Sequence, residues 1–407
     1  MNAPFVDLFD PESFVAGVPH DYFAWLRAHD PVHRQPDAGG GYWAVTRYDD
    51  VVAVERDPVT FSSGRQSALL MDLTPDELHF MSQQLIHMDA PQHTKLRSLV
   101  NRGFTPRMIR LLELHVRELA HEIVDHVAPK GECDFVAEIA AELPLQVIAE
   151  LMGVPTEDRW RLLDWSNRTI GLEDPEYGSL VDAKVATVEM FIYAHELAEE
   201  KRAHPVDDII SALVTAEVDG ERLTDIEFNM FFFLLVVAGN ETTRNLVSGG
   251  MLTLFDHPDQ LARLRADRSL LPVAIEELLR WVSPVIQFRR TATRDALIGE
   301  TRVAEGDKVA IYYSSANRDE AAFEDAGRFD ITRAPNNHVA FGLGPHFCLG
   351  ASLARLEARA MFEEILARMP DIEPAGPVER LRSNLINGVK HLPVRFTPTS
   401  ASGEETT

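Results

Sequence analysis

The chain has 407 residues, 45% of them hydrophobic and 25% charged, with 39 basic against 64 acidic side chains and a formal charge of −25. Such a length supports a large core, and the acidic excess argues against nucleic acid as a partner. Only two cysteines exclude a disulfide scaffold and fit a reducing, cytoplasmic compartment.

From the N-terminus, "MNAPFVDLFDPESF" carries neither a basic n-region nor a long apolar stretch, so no signal peptide is expected. Up to about residue 65 the chain mixes short helical and strand-like pieces, with "GYWAVTRY" alternating as a strand does. From Pro91 to Phe255 the pattern is amphipathic helix, broken at "APKGECDF", "LMGVPTED" and "LEDPEYG". The most apolar run, Met230 to Val237, is far too short to cross a bilayer, so no membrane anchor is expected. It lies in a helix opened by a capping box, Thr224-Asp-Ile-Glu227, and closed by Asp256-His-Pro258. That predicts about 30 residues, or roughly 45 Å. In its middle stands "AGNETT", Ala238 to Thr243, where an acid and an alcohol are costly unless they have partners or a task. A bond back to its own helix is the plain alternative for the threonine. Further on, Glu277 and Arg280 share a helix face three residues apart, the spacing of many solvated surface pairs. Strand signals return at "DKVAIYYSSAN" and "HLPVRFTP", before a polar tail from about residue 399 that is expected to be frayed. No repeat and no Gly/Ser linker divides the chain, so one domain over residues 1–407 is expected, mainly α with small β-sheets.

Near the C-terminus "FGLGPHFCLG", Phe341 to Gly350, holds Cys348 among glycines. It lacks the third glycine of a dinucleotide fingerprint; the histidines of "HEIVDH" are five apart rather than the four of a zincin helix; no G-x-S-x-G elbow occurs. Cys133 has no constellation around it and reads as a small buried thiol. Cys348 instead precedes "ASLARLEARAMFEEIL", a helical pattern, so helix N–H groups and dipole favour its thiolate. A lone thiolate on a flat face is what haem iron takes as proximal ligand when O–O cleavage is the task. The form F-G-x-G-x-H-x-C-x-G resembles the signature of the cytochrome P-450 family, the haem-thiolate monooxygenases.

The resemblance runs from "APQHTKLR" to "PVRF", nearly the whole chain, and implies haem b between the long central helix and the cysteine-loop helix. It implies Cys348 as the iron ligand within a loop that includes Phe341, Gly342 and Gly350, and His93, Arg97, Arg290 and His346 toward the haem propionates, with Arg289 a close rival of Arg290. It implies Ala238 and Gly239 as room for dioxygen, and Glu241 and Thr242 as the groups that organise water and deliver protons. It makes Glu277, Arg280 and Arg333 a buried structural set rather than a catalytic one. Within the family the chain looks most like bacterial members that oxidise the terminal methyl of methyl-branched lipids, isoprenoids and steroid side chains, through "FFLLVVAGNETTRN", "SPVIQFRRTATRD", "YYSSANRDE" and "ERLRSNLINGVKHLPV". The pocket that this implies is apolar: Leu69, Leu70, Met71, Phe232, Val236, Val285, Ile286, Phe288 and Ile386. Electrons are expected from NAD(P)H through a ferredoxin and its reductase, docking on Arg102, Arg107, Arg355 or Arg359. The competing expectations are a terpenoid or macrolide hydroxylase, a peroxygenase, and a non-catalytic haem sensor; the last two leave Glu241 and Thr242 without a task.

Overall fold

A computed structural model describes residues 5–104, 106–205, 209–215, 217–218 and 221–400; the tail from residue 401 lies outside them. The long helix runs Asp225–Asp256, 32 residues and about 48 Å. Thr224 Oγ1 accepts from the Glu227 N–H while the Glu227 carboxylate accepts from the Thr224 N–H, so the capping box forms as its spacing predicts.

This helix belongs to two apolar clusters. Phe228, Phe231, Phe232, Leu235 and Val236 pack with the helices Glu142–Leu151, Arg159–Ile170 and Leu180–Ala203. Leu246, Val247, Met251 and Leu254 pack with Pro106–Val127, Leu271–Val282 and Ala351–Arg368. The polar stretch Asn240–Asn245 falls between the two, where the helix changes its apolar partners. That is how one helix places polar chemistry at the centre of the molecule without breaking its apolar packing.

Five strands form the main sheet in the order Val32–Gln35, Tyr42–Val45, Lys308–Tyr312, Gln287–Ala292, Phe61–Ser62. All neighbours are antiparallel except Tyr42–Val45 with Lys308–Tyr312, which joins residues from the two ends of the chain. Val309 pairs with Arg290 and Ala310 with Arg289, so the two arginines point to opposite faces. A smaller sheet pairs Pro393–Arg395 with Glu132–Asp134 and Glu373–Pro374. Cys133 lies on it half-buried, and burial pushes its thiol up to about 12. Among the described residues no helix is long and apolar enough to cross a membrane.

Candidate active site

The cysteine loop is closed by its own backbone: Cys348 N–H donates to the Phe341 carbonyl at 2.9 Å. Gly342 and Gly344 take φ of 66° and 64°, the left-handed region open to glycine. A side chain at Gly344 would also meet the Glu55 carbonyl oxygen at 2.6 Å. The helix Ala351–Arg368 follows, with Gly350 at its N-cap. Burial pushes the Cys348 thiol up; the Gly350 N–H and the positive charges of Arg97 and Arg355 pull it the other way. The helix start therefore favours the thiolate as the sequence implies, but burial outweighs it, and a metal cation at sulfur is what would complete the ionisation.

Arg97, on the helix Gln92–Val100, donates Nη2 to the Phe347 carbonyl at 2.6 Å and Nε to Asn101 at 3.1 Å. His93, one turn earlier, is 3% exposed; its ring lies 4.4 Å from that of His346, and its Nε2 has no hydrogen-bond partner among the described residues. Burial first, then the charges of Arg290 and Arg97 with His93 between them, push His346 down to about 2.

Strand alternation separates the two arginines that the sequence left in competition. Arg289 turns to the Leu70–Asp72 loop, donating to the Met71 carbonyl at 3.3 Å and to Asp72 at 3.0 Å. Arg290 turns to the cysteine side, where its charge acts on His87 and His346. It is already paired, however: Nη2 donates to Glu55 Oε1 at 2.6 Å. The same carboxylate accepts from Tyr313 Oη at 2.9 Å and from the Leu343 N–H at 2.5 Å. Glu55 thus ties Arg290 to the start of the cysteine loop, a role that nothing local in its sequence announces.

Glu277 and Arg280 are fully buried rather than solvated. Arg280 donates Nε and Nη2 to the two carboxylate oxygens, each at 2.8 Å, and Arg333 Nε stands 3.2 Å away. Arg280 Nη1 also donates to the Asn317 and Ala326 carbonyls, so the set clamps the loop that leads to the cysteine.

On the long helix, Glu241 is buried. Its Oε1 accepts from Arg244 Nη2 at 2.5 Å and Asn245 Nδ2 at 2.8 Å, while Oε2 has no partner among the described residues. Arg244 Nη1 continues to Asn167 at 2.8 Å, and Asn245 Oδ1 accepts from the Val389 N–H at 3.1 Å. Arg244 and Asn245 are missing from the sequence reading, although the i, i+3 spacing of Glu241 and Arg244 repeats that of Glu277 and Arg280. Thr242 Oγ1 donates to its own helix, at Ala238 O, 2.9 Å. Gly239 corrects the sequence reading: a Cβ there would meet Ile148 at 3.2 Å, so its missing side chain admits the neighbouring helix rather than dioxygen. Ala238 is exposed and Thr242 half-buried, in a helix whose flanks are buried.

Burial divides the expected substrate-pocket residues. Phe232 and Val236 are fully buried against the cluster of Tyr193 and Leu197; Val236 lies about 200° around the helix from Ala238. Leu70 and Ile286 are core, packed with Phe23, Leu26 and Tyr312. Ile386 is buried too, bridged to Val285. Leu69, Met71, Val285 and Phe288 keep partial exposure, as do Leu234 and Val237, which the sequence reading omitted. The division has one cause: the run is apolar all round, so composition does not tell which face the neighbouring helices cover. Of the arginines expected to meet a donor, Arg355 is held by both oxygens of Glu276 at 2.7 and 2.8 Å and Arg359 by Glu363 at 2.8 Å. The side chains of Arg102 and Arg107 lie outside the described residues.

These donors suit an iron porphyrin. A partly buried thiol that its surroundings hold above its ordinary pKa calls for a cation, the unpartnered Nε2 of His93 and the guanidinium of Arg97 suit carboxylates, and Ala238 offers a low wall. Residues 145–370 match the family model Cytochrome P450. A steroid C26-monooxygenase of Rhodococcus jostii (strain RHA1) is 43% identical over 97% of this chain and 85% of its own length. A methyl-branched lipid omega-hydroxylase of Mycobacterium tuberculosis (strain ATCC 25618 / H37Rv) is 43% identical over 92% of this chain and 90% of its own. Among solved structures, a Mycobacterium marinum cytochrome P450 in complex with pseudoionone has TM-score 0.89 and 41% identity, over 94% of this chain and 96% of that one. Motif, fold and relatives agree, and the chain belongs to the cytochrome P450 family, as a haem-thiolate monooxygenase that uses dioxygen.

Proposed function

We propose that the protein, folded as one domain over residues 1–407, hydroxylates the terminal methyl of a hydrophobic, methyl-branched substrate: a branched lipid or a steroid side chain. The observation that carries the reading is the pair of relatives at 43% identity, a steroid C26-monooxygenase and a methyl-branched lipid omega-hydroxylase. The partly exposed apolar positions Leu69, Met71, Leu234, Val285 and Phe288 supply a surface that binds such a chain without hydrogen bonds. A second reading, an isoprenoid ketone, is favoured by the relative solved with pseudoionone.

The bound haem would activate dioxygen and insert one atom into a C–H bond. Cys348 would hold its iron, and His93, Arg97, His346 and Arg290 its propionates. The protein's own task is positioning. A primary C–H bond is stronger than the tertiary one at the branch, so the apolar wall must fix the methyl and hold the branch carbon away. Ala238, small and exposed, leaves open space on its face of the long helix. Thr242 holds a hydroxyl at the same face, and Glu241 Oε2, with no partner, is the atom that can take and hand on a proton. The bond from Arg244 to Oε1 fixes the orientation of that carboxylate.

NAD(P)H would supply electrons through a ferredoxin and its reductase, in the cytoplasm. A concavity of about 270 Å3 beside the cysteine helix, lined by Arg110, Arg355 and Arg359 against Glu113 and Glu276, has a small positive excess that supports docking there. The test is incubation of the haem-loaded enzyme with a ferredoxin system and, in separate reactions, a sterol, a methyl-branched fatty acid and pseudoionone, with product position read by mass spectrometry. Terminal alcohol from either of the first two supports the reading; oxidation of pseudoionone alone favours the second; hydroxylation only at the branch carbon overturns both.

A further inference from the structure

We infer that a cleft remote from the cysteine loop, between the start of the helix His20–His29 and the far end of the long helix, binds a small oxyanion through Arg318 and Arg380. The cavity measures about 320 Å3, within the range of small-molecule sites.

The two arginines differ from the other buried ones. Arg27, Arg244, Arg280, Arg289 and Arg290 each hold a carboxylate. Arg318 and Arg380 have none within ion-pair distance among the described residues, in a chain with 64 acidic side chains to choose from. Arg318 lies on Trp281, its Cζ 3.2 Å from the ring centroid, and donates only to the Trp281 carbonyl at 3.2 Å. Arg380 donates only to Asn387 Oδ1, at 3.4 Å. Partly buried guanidinium groups with neutral partners leave donors unspent, and their planar forks match a carboxylate or a phosphate.

Two further observations point to the same ligand. His20 lines the cleft with a buried Nδ1 that has no partner. The charges of Arg318, Arg27, Arg380 and Arg280 all reach its ring, which burial and those charges keep neutral, so positive potential converges here. The helix that begins at His20 has Pro19 as its N-cap and no side-chain cap; the His20 N–H donates to the Val18 carbonyl at 2.8 Å, which leaves the N–H groups of Asp21 and Tyr22 in the first turn for an anion, beside the acidic side chain of Asp21. Asp256 is the acidic residue of the lining; against two arginines it leaves a net positive charge, which suits a monoanion or one acid group of a larger molecule. The ligand class is therefore a small organic carboxylate or a phosphate ester.

Isothermal titration of the haem-loaded protein with succinate and, separately, inorganic phosphate, at ionic strength fixed with sodium chloride, tests this. Saturable binding of at least one probe is expected, weakened about tenfold or more in Arg380→Gln and in Arg318→Lys, which keeps the charge but loses the fork. Arg65→Gln, remote and paired with Glu305 on the surface, is expected to bind as the wild type does. Succinate alone assigns the site to carboxylates, phosphate alone to phosphate esters. No saturable heat with either probe, or unchanged affinity in both cleft variants, overturns the proposal. The spectral response to a hydrophobic substrate reports on the haem side independently, so the two proposals fail separately.

Discussion

Cys348 sits where burial opposes its charge, and the surrounding cations only partly offset that. Cys348→Ser is accordingly expected to abolish the red-shifted Soret band of the reduced carbonyl complex, the signature of thiolate ligation; an unchanged band means that another residue ligates the iron. For Thr242 the observed bond to Ala238 O is the one that a threonine makes in any helix, so the structure alone leaves its chemistry to a coupling measurement. Thr242→Ala should leave substrate binding intact while product formed per NAD(P)H falls and hydrogen peroxide rises. Wild-type coupling in that variant reduces the hydroxyl to a helix back-bond. Glu241→Gln removes the carboxyl group at the centre of the long helix and should slow turnover by roughly 10²-fold or more, measured as kcat with a saturating electron donor.

Elements are held to one another here by buried charges as much as by apolar faces. The Glu277 set joins the helix Leu271–Val282 to the segment before the cysteine loop. Glu277→Ala leaves Arg280 buried with its carboxylate gone, a loss of about 3–5 kcal/mol; denaturant unfolding measures it, and a loss below about 1 kcal/mol would return the pair to an ordinary surface value. Between the cysteine helix and the long helix, burial pushes Glu357 up to about 8, against the Thr243 hydroxyl that lowers it. Its folded pKa lies above the ordinary glutamate value of 4.5, so stability from this group is full below about 4.5 and falls as pH rises to about 8. The melting temperature of Glu357→Gln relative to wild type should therefore climb between pH 5 and pH 8; a flat difference contradicts the burial. Local spacing made the helix-opening box at Thr224 legible in the sequence, whereas the spacing of Glu277 and Arg280 fits a surface pair and only the family resemblance implied its burial. The packing of Phe232, Val236, Leu70 and Ile286 into the core was not legible, because an apolar residue carries no mark of which neighbour covers it. Gly239 was misread because a small residue serves helix approach and ligand access alike.

At the scale of the whole molecule, the −25 charge coexists with two places of small positive excess, the concavity beside the cysteine helix, where three arginines face Glu113 and Glu276, and the cleft where Arg318 and Arg380 face Asp256. If an acidic donor docks at the first, its association rate should fall steeply as salt rises past physiological strength, which stopped-flow reduction of the haem can follow; a salt-independent rate removes charge from the recognition. The site itself was legible where its residues lie in one segment and illegible where it is assembled across the chain, and Glu55 is the extreme case. Its carboxylate meets Arg290, Tyr313 and the Leu343 N–H across 235, 258 and 288 residues. Contacts of that sequence separation close the largest loops a chain can form, and their entropy is paid before any neighbour repays it. An anchor of that separation is expected to engage after the local helices have formed. Acquisition of the cofactor should then depend on a meeting of distant segments, because Glu55 holds the start of the loop that carries Cys348.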